Sequence, residues 1–177
     1  MITLASYINR HESDFIRLYE NSFPTHERRD TNTLLQLRHT QPEFEIQTIC
    51  THHAFAGFIT YWDLTDFVFI EHFAVEPALR GQKIGERALT SFVNEIKKPV
   101  VLEIEIPTDI WSTRRYQFYT RMGFHRFPFA YRQPPYRQTD TDTPMWLLGR
   151  NSKFDLNSFK KVQCDLYRSV YGIIIAR

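Results

Sequence analysis

The chain has 177 residues, 42% hydrophobic and 15% aromatic, with a formal net charge of +2. That length suits one domain with a proper core, and so much aromatic mass excludes a disordered chain. The charge is too slight, and Lys and Arg too dispersed, for a nucleic-acid partner, and no apolar run approaches the ~18 residues of a membrane span.

Cys50 and Cys164 lie far apart and match no metal or redox spacing, so no metal site is expected and a reducing, cytoplasmic setting fits. The start, MITLASYINRHESDF, lacks the charged-then-apolar pattern of a signal peptide. In chain order, ITLASY reads as a short strand. HESDFIRLYENSF reads as a helix, with Phe15, Leu18, Tyr19 and Phe23 at helical spacing. PTHERRD breaks the pattern, and TNTLLQLRHT resumes it as a second helix. EFEIQTICTH alternates as a strand, and AFAGFITYWDL and DFVFIEHFAV, rich in aromatic and β-branched residues, give two more. GERALTSFVNEIKK is an amphipathic helix with Ala88, Leu89, Phe92, Val93 and Ile96 on one face. PVVLEIEIP is a strand. DIWSTRRYQFYTRMG is a helix closed by Gly123. FHRFPFAYR is extended, QPPYRQTDTD is a polar loop and TPMWLLGR is a strand. DLNSFKKVQCDLYRSVYG is a last helix, with Asp155 or Asn157 as N-cap. The order predicts a mixed α/β fold whose central strand–helix–strand unit makes a right-handed parallel crossover.

The stretch LRGQKIGERAL, residues 79–89, follows a strand and opens a helix. First-turn amides have no partners within a helix, the dipole adds partial positive charge, and glycine lets a ligand approach the backbone. Alone, the pair Gly81 and Gly85 fits either an anion cradle or an ordinary strand-to-helix turn. Dinucleotide and Walker-type fingerprints do not fit.

FIEHFAVEPALRGQKIGERAL resembles the central motif of the GNAT superfamily of acyl-CoA-dependent N-acetyltransferases, in which Arg/Gln-x-x-Gly-x-Gly/Ala links a strand to a helix. Arg80 and Gly85 match, and Lys83 stands where the family has its middle glycine. RRYQFYTRMGF resembles a second family motif, and the element order is the family's as well. The resemblance covers roughly residues 1–149. It implies one domain over 1–177, with a core of 1–149 and a helical extension of 150–177. Its sheet would be mixed and mostly antiparallel, of about six to seven strands, flanked by helices. It implies acetyl-CoA as co-substrate. Arg80, Gly81, Gln82, Lys83, Ile84, Gly85 and Glu86 would cradle its pyrophosphate, and the backbone of Phe73, Ala74 and Val75 would meet the pantetheine arm.

Amine acetylation needs a base for the substrate ammonium and an acid for the departing thiolate. Tyr119 matches the family's acid. Phe118 shares a helical stripe with Trp111 and Met122 and reads as the core member, which leaves Tyr119, rotated ~100° from it, free to face the cofactor. For the base, strict alternation puts Phe67, Phe69, Glu71, Phe73 and Val75 on one side of their strand and His72 on the other. Burial among phenylalanines would raise the pKa of Glu71 toward that of a working base. Glu103 and Glu105 are the next candidates, Glu105 through water. Glu27, Arg28 and Arg29, with Tyr131 and Tyr136, fall in segments that in this family shape the acceptor site. The acceptor would be a small-molecule or peptide amine. The closing helix either covers the sheet or makes a homodimer contact. No cysteine sits in either motif, so direct attack in a ternary complex is expected. A non-catalytic acyl-CoA-binding module and an interaction protein with an aromatic surface are the alternatives.

Overall fold

Strands form where apolar and β-branched residues alternate, and helices where they recur with the helical period. The computed structural model describes residues 2–7, 9–137 and 139–173. It comprises two units, Met1–Lys98 and Pro99–Arg177. Gln138, part of the expected polar loop, lies outside the described residues.

The first unit runs β1 (Ile2–Ser6), α1 (Glu12–Ser22), α2 (Thr31–Thr40), β2 (Phe44–Thr51), β3 (Ala54–Asp63), β4 (Val68–Val75) and α3 (Ile84–Glu95). The four strands pair antiparallel in chain order. α1 and α3 cover opposite faces. Phe15 of α1 meets Phe58 edge-on at 4.7 Å, and Phe92 of α3 meets Tyr61 at 4.9 Å. Phe58 and Tyr61 are an odd number of residues apart, so they point to opposite sides of β3. Phe15, Leu18, Tyr19, Phe58 and Ile59 are almost entirely buried. Each such side chain contributes about 1.5–3 kcal/mol relative to an exposed one, which gives the unit its own core. Asp30 caps α2 by accepting from the amides of Asn32 and Thr33 at 3.0 and 3.2 Å. Loss of that cap would cost about 1 kcal/mol.

β4 departs from simple alternation. Thr60 of β3 pairs with His72, but Tyr61 pairs with Ile70, so Glu71 is an extra, bulged residue. A bulge shifts the phase of every side chain beyond it.

The second unit runs β5 (Val100–Glu105), α4 (Ile110–Arg121), β6 (His125–Arg126), β7 (Tyr131–Gln133), β8 (Thr143–Arg150) and α5 (Leu156–Asp165), followed by a π-helical turn at Leu166–Val170. β8 is central, pairing antiparallel with β5, β6 and β7. The single extended stretch expected over 124–132 is two short strands with Pro128 between them. Proline cannot donate to a ladder, so pairing stops there. The described residues therefore hold eight strands, where the sequence predicts six or seven. Asp109 and Ser112 form a capping box that starts α4, and Gly123, at φ 82°, ends it. Asp155 caps α5 by accepting from the amide of Ser158 at 2.9 Å. Phe159 then packs on Phe127 and Phe129, with ring centroids 5.9 and 5.0 Å away. Among the described residues no helix is long and apolar enough to cross a membrane, and no group of three His, Cys, Asp or Glu is placed to hold a metal ion.

Candidate active site

β4 ends at Val75 and is followed by one 3-10 turn, Pro77–Leu79. Arg80 closes that turn, its amide donating to the Pro77 carbonyl at 3.2 Å, while its Nε donates to the Val75 carbonyl at 3.3 Å. Gly81 follows at φ 78° and Lys83 at φ 57°. Gly81 faces open space on the side where a Cβ would stand. Lys83 is the N-cap of α3, and no side chain caps that helix. The first-turn amides of a twelve-residue helix thus lack a protein side-chain acceptor, and the positive end of its dipole meets an exposed turn carrying Arg80 and Lys83. Glu86 is the one acidic residue in that first turn. Gly85 lies inward, where an added Cβ would touch Phe73 and Val75 at 3.5 Å. The conformation of Lys83 gives the physical reason for glycine at this place in the resembling motif. The left-handed region is open to glycine and costs a residue with a Cβ about 1 kcal/mol.

The bulge changes the surroundings expected for Glu71. It does not share a face with Phe73 and Val75. It points to the α1 side, where its carboxylate accepts from Trp62 Nε1 and from Arg29 Nε, each at 2.8 Å. His72 lies on that side too, against Tyr19 and Phe23. Glu71 has no exposed side-chain surface and Arg29 has 13%. Burial pushes the Glu71 carboxyl up, as the sequence suggested. The charges of Arg29 and His72 and the bonds from Trp62 and Arg29 outweigh it, so the net shift is downward. His72 moves down from the ordinary histidine value, chiefly through burial. Its Nε2 is 3.2 Å from the Glu27 carbonyl, which can only accept, so Nε2 carries the proton.

The segment before α2 is tied to this network at several points. The Arg29 amide donates to the Tyr19 hydroxyl at 2.9 Å, and the Glu27 carbonyl takes the His72 bond. Arg28 stands over the Tyr19 ring at 5.8 Å, with its Nε buried and unpartnered. The Glu27 carboxylate is 3.5 Å from His26. Glu71, Arg28, Arg29 and the Glu27 backbone are therefore brought together, around an ion pair that the sequence signals only as a carboxylate in an apolar strand. The adjacent pair Glu71–His72 was the available sign of the bulge, because two polar residues in succession cannot both obey alternation in a half-buried strand.

In the second unit, Tyr119 is 8% exposed, more deeply buried than Phe118, while Trp111 is 68% exposed. The stripe of Trp111, Phe118 and Met122 is thus not the buried side of α4, which turns Ser112 and Tyr119 inward. Burial pushes the Tyr119 phenol up to about 12, with Arg115 lowering it and Glu105 raising it. It therefore holds its proton at neutral pH. Glu105 makes a close ion pair with Arg115, which lies one helical turn before Tyr119, and stays 31% exposed. Glu103 accepts from the Tyr131 hydroxyl and, at 2.8 Å, from that of Tyr171. Tyr131 is buried, and burial beside Glu103 drives its pKa well up. Tyr136 packs on Tyr171 at 5.4 Å. Tyr131 and Tyr136 thus belong to one tyrosine cluster, whose C-terminal half, Tyr167 and Tyr171, no sequence motif marked.

The sequence profile of the acetyltransferase (GNAT) family matches residues 9–124, well over half of the chain. A protein of Bacteroides thetaiotaomicron assigned to the GNAT acetyltransferases is 32% identical, with 97% of this chain and 99% of that one covered and a TM-score of 0.91. The ribosomal-protein-S18-alanine N-acetyltransferase of Escherichia coli is 17% identical, with 85% and 93% covered and a TM-score of 0.64. A GNAT acetyltransferase of Elizabethkingia anophelis, solved with acetyl-CoA bound, is 16% identical, with 84% and 97% covered and a TM-score of 0.58. These last two show likeness of fold. No curated protein matches the chain in sequence.

Proposed function

The chain belongs to the GNAT family of acetyltransferases, and on that premise we propose that it transfers the acetyl group of acetyl-CoA to a primary amine by direct attack in a ternary complex. The observation that carries this reading is the uncapped start of α3, with Gly81 and Lys83 at positive φ in the turn that joins β4 to it. Such a turn suits the pyrophosphate of the co-substrate. Backbone amides of residues 81–86 would donate to it, and Arg80 and Lys83 would add charge. The ends of the Phe73–Val75 stretch would meet the pantetheine arm. The single-domain reading of residues 1–177, with 150–177 as an extension of the core, goes with this proposal.

In the transfer, the amine nitrogen attacks the thioester carbonyl carbon, the C–S bond breaks and the thiolate takes a proton. Tyr119 is the proposed donor, since its raised pKa keeps the phenol protonated until a strong acceptor forms. The amine must also lose a proton. A carboxylate held charged by Arg29 and Trp62 is a weak proton acceptor. We therefore assign Glu71, which has no exposed surface, to fixing Arg29 and the 25–30 segment, and give deprotonation to water backed by Glu105, which also pairs with an arginine but keeps 31% of its side chain exposed. The acceptor class is a small-molecule or peptide amine, with Arg28, Glu27, Tyr131 and Tyr136 as its candidate contacts. The test is Tyr119→Phe assayed against an amine panel. The scheme expects turnover to fall at least tenfold with the acetyl-CoA Kd within twofold of wild type. Unchanged turnover removes Tyr119 as the acid.

A further inference from the structure

Glu76 stands between β4 and the turn that opens α3. Its amide donates to the Ala56 carbonyl at 2.9 Å, which carries the β3–β4 ladder one residue past the end of β4. Its carbonyl accepts from the Leu79 amide at 2.9 Å and so closes the 3-10 turn Pro77–Leu79. Glu76 is the N-cap of that turn, yet its side chain makes no capping bond there. An N-cap side chain ordinarily serves the amides of its own turn. The Glu76 carboxylate instead reaches α1, where Arg17 donates to both of its oxygens, from Nη2 to Oε1 at 2.6 Å and from Nη1 to Oε2 at 3.4 Å. Asp14, one turn earlier on α1, accepts from the same guanidinium at 3.3 Å.

Most surface ion pairs contribute little, because water screens them and two long side chains must be held still. This pair has the features of the exceptions. It is two-pronged, its glutamate side chain is only 15% exposed, and a second carboxylate orients the arginine. The end of β4 is also fixed from β3. Gly57 pairs with Val75, and a Cβ on Gly57 would stand 2.3 Å from the Ala74 carbonyl oxygen. The backbone thus has little freedom up to Val75, and the direction it takes beyond falls to Glu76. Residues 77–80 alone separate Glu76 from Gly81, and the Arg80 amide is tied back to the Pro77 carbonyl. A rotation at Glu76 is therefore carried through the 3-10 turn to Gly81 and Lys83. Because α1 and α3 cover opposite faces of the sheet, the pair also draws the carboxylate charge away from the start of α3.

We propose that the Arg17–Glu76 pair sets the geometry of the turn for its anionic co-substrate, with Glu76 a positioning residue that itself touches no ligand. This rests on the reading of that turn as the pyrophosphate site of acetyl-CoA.

The test is calorimetric titration of the full chain with coenzyme A, at fixed ionic strength and well below the Tm of each variant. By charge alone, Glu76→Gln would tighten the binding of an anion, so weaker binding reports position. The expected result is a coenzyme A Kd raised about three- to fivefold in Glu76→Gln and in Arg17→Met, and raised no further in the double variant, because the two side chains act as one unit. Lys98→Met breaks another ion pair of the first unit, Lys98–Asp63, and should leave the Kd unchanged. Unchanged or tighter binding in Glu76→Gln would overturn the proposal. So would effects that multiply in the double variant, or an equal rise in Lys98→Met. A wild type that does not bind coenzyme A is a distinct result, and it overturns the reading of the turn together with this inference.

Discussion

Glu71→Gln separates a structural carboxylate from a catalytic one. The substitution keeps shape and an acceptor for Trp62 Nε1, but it removes the carboxylate charge beside the Arg29 guanidinium, which is 13% exposed. Removing one partner of a buried ion pair costs about 3–5 kcal/mol, and the retained amide acceptor places this case near ~3 kcal/mol. At ~2–4 °C per kcal/mol for a chain of this size, Tm should fall by about 6–12 °C. The pH dependence follows from the direction of the shift. The folded pKa of Glu71 is lowered, so its contribution is complete above the ordinary unfolded value of ~4.3 and is lost as pH falls through the folded value. Denaturant unfolding of wild type should therefore show a steeper loss of stability below ~pH 4.3 than the variant. Residual turnover of the folded variant should keep the limb on which the rate rises with pH. A Tm within 2 °C of wild type, with an unchanged acid slope, would refute the ion-pair reasoning. Loss of that kinetic limb would return Glu71 to the role of base.

Three further outcomes follow from the same geometry. Lys83→Gly removes a Cβ from a residue at φ 57°, so Tm should rise by about 1–4 °C, from ~0.5–1 kcal/mol of relieved strain. The acetyl-CoA Kd of that variant should also rise and depend less on salt. His72 is buried with a lowered pKa, so its neutral form is the folded one. Wild-type stability should fall as pH drops below ~6.5, and His72→Gln should flatten that slope between pH 6.5 and 5. Arg115→Ala should leave Tyr119 with a still higher pKa, because Arg115 is the group that lowers it. The kinetic limb assigned to the acid would then move to higher pH.

The helices were legible from the spacing of their apolar residues, and among the described residues three of the five also carry a side-chain cap. Asp30, Asp109 and Asp155 stand at N-caps, and Gly123 stands where α4 must stop. The strands were legible as elements, and the anion-ready turn as a motif. The phase of β4 shows in the sequence only as the polar pair Glu71–His72, which strict alternation splits between two faces and the bulge puts on one. The same phase decides what surrounds Glu71. An apolar stretch containing Glu71 announces a buried carboxylate, but its partner, Arg29, comes from a segment 42 residues earlier. On α4, spacing marked the Phe118 stripe as core because periodicity cannot tell which of two aromatic faces packs, and burial chose Tyr119. The π-helical turn that sets Tyr167 and Tyr171 near Glu103 has no sequence signature.

The central claim is acetyl transfer from acetyl-CoA. Its most direct measurement is thiol release from acetyl-CoA in the presence of an amine panel, followed by mass spectrometry of the amines and run beside a thermal scan with saturating acetyl-CoA. At a hundred times Kd, binding adds about 2.7 kcal/mol, so Tm should rise by about 5–10 °C, and at least one amine should gain an acetyl group with one thiol released per transfer. A raised Tm with no amine acetylated would contradict the transfer and leave a binding module. No rise in Tm would contradict the account at its root, the turn that opens α3.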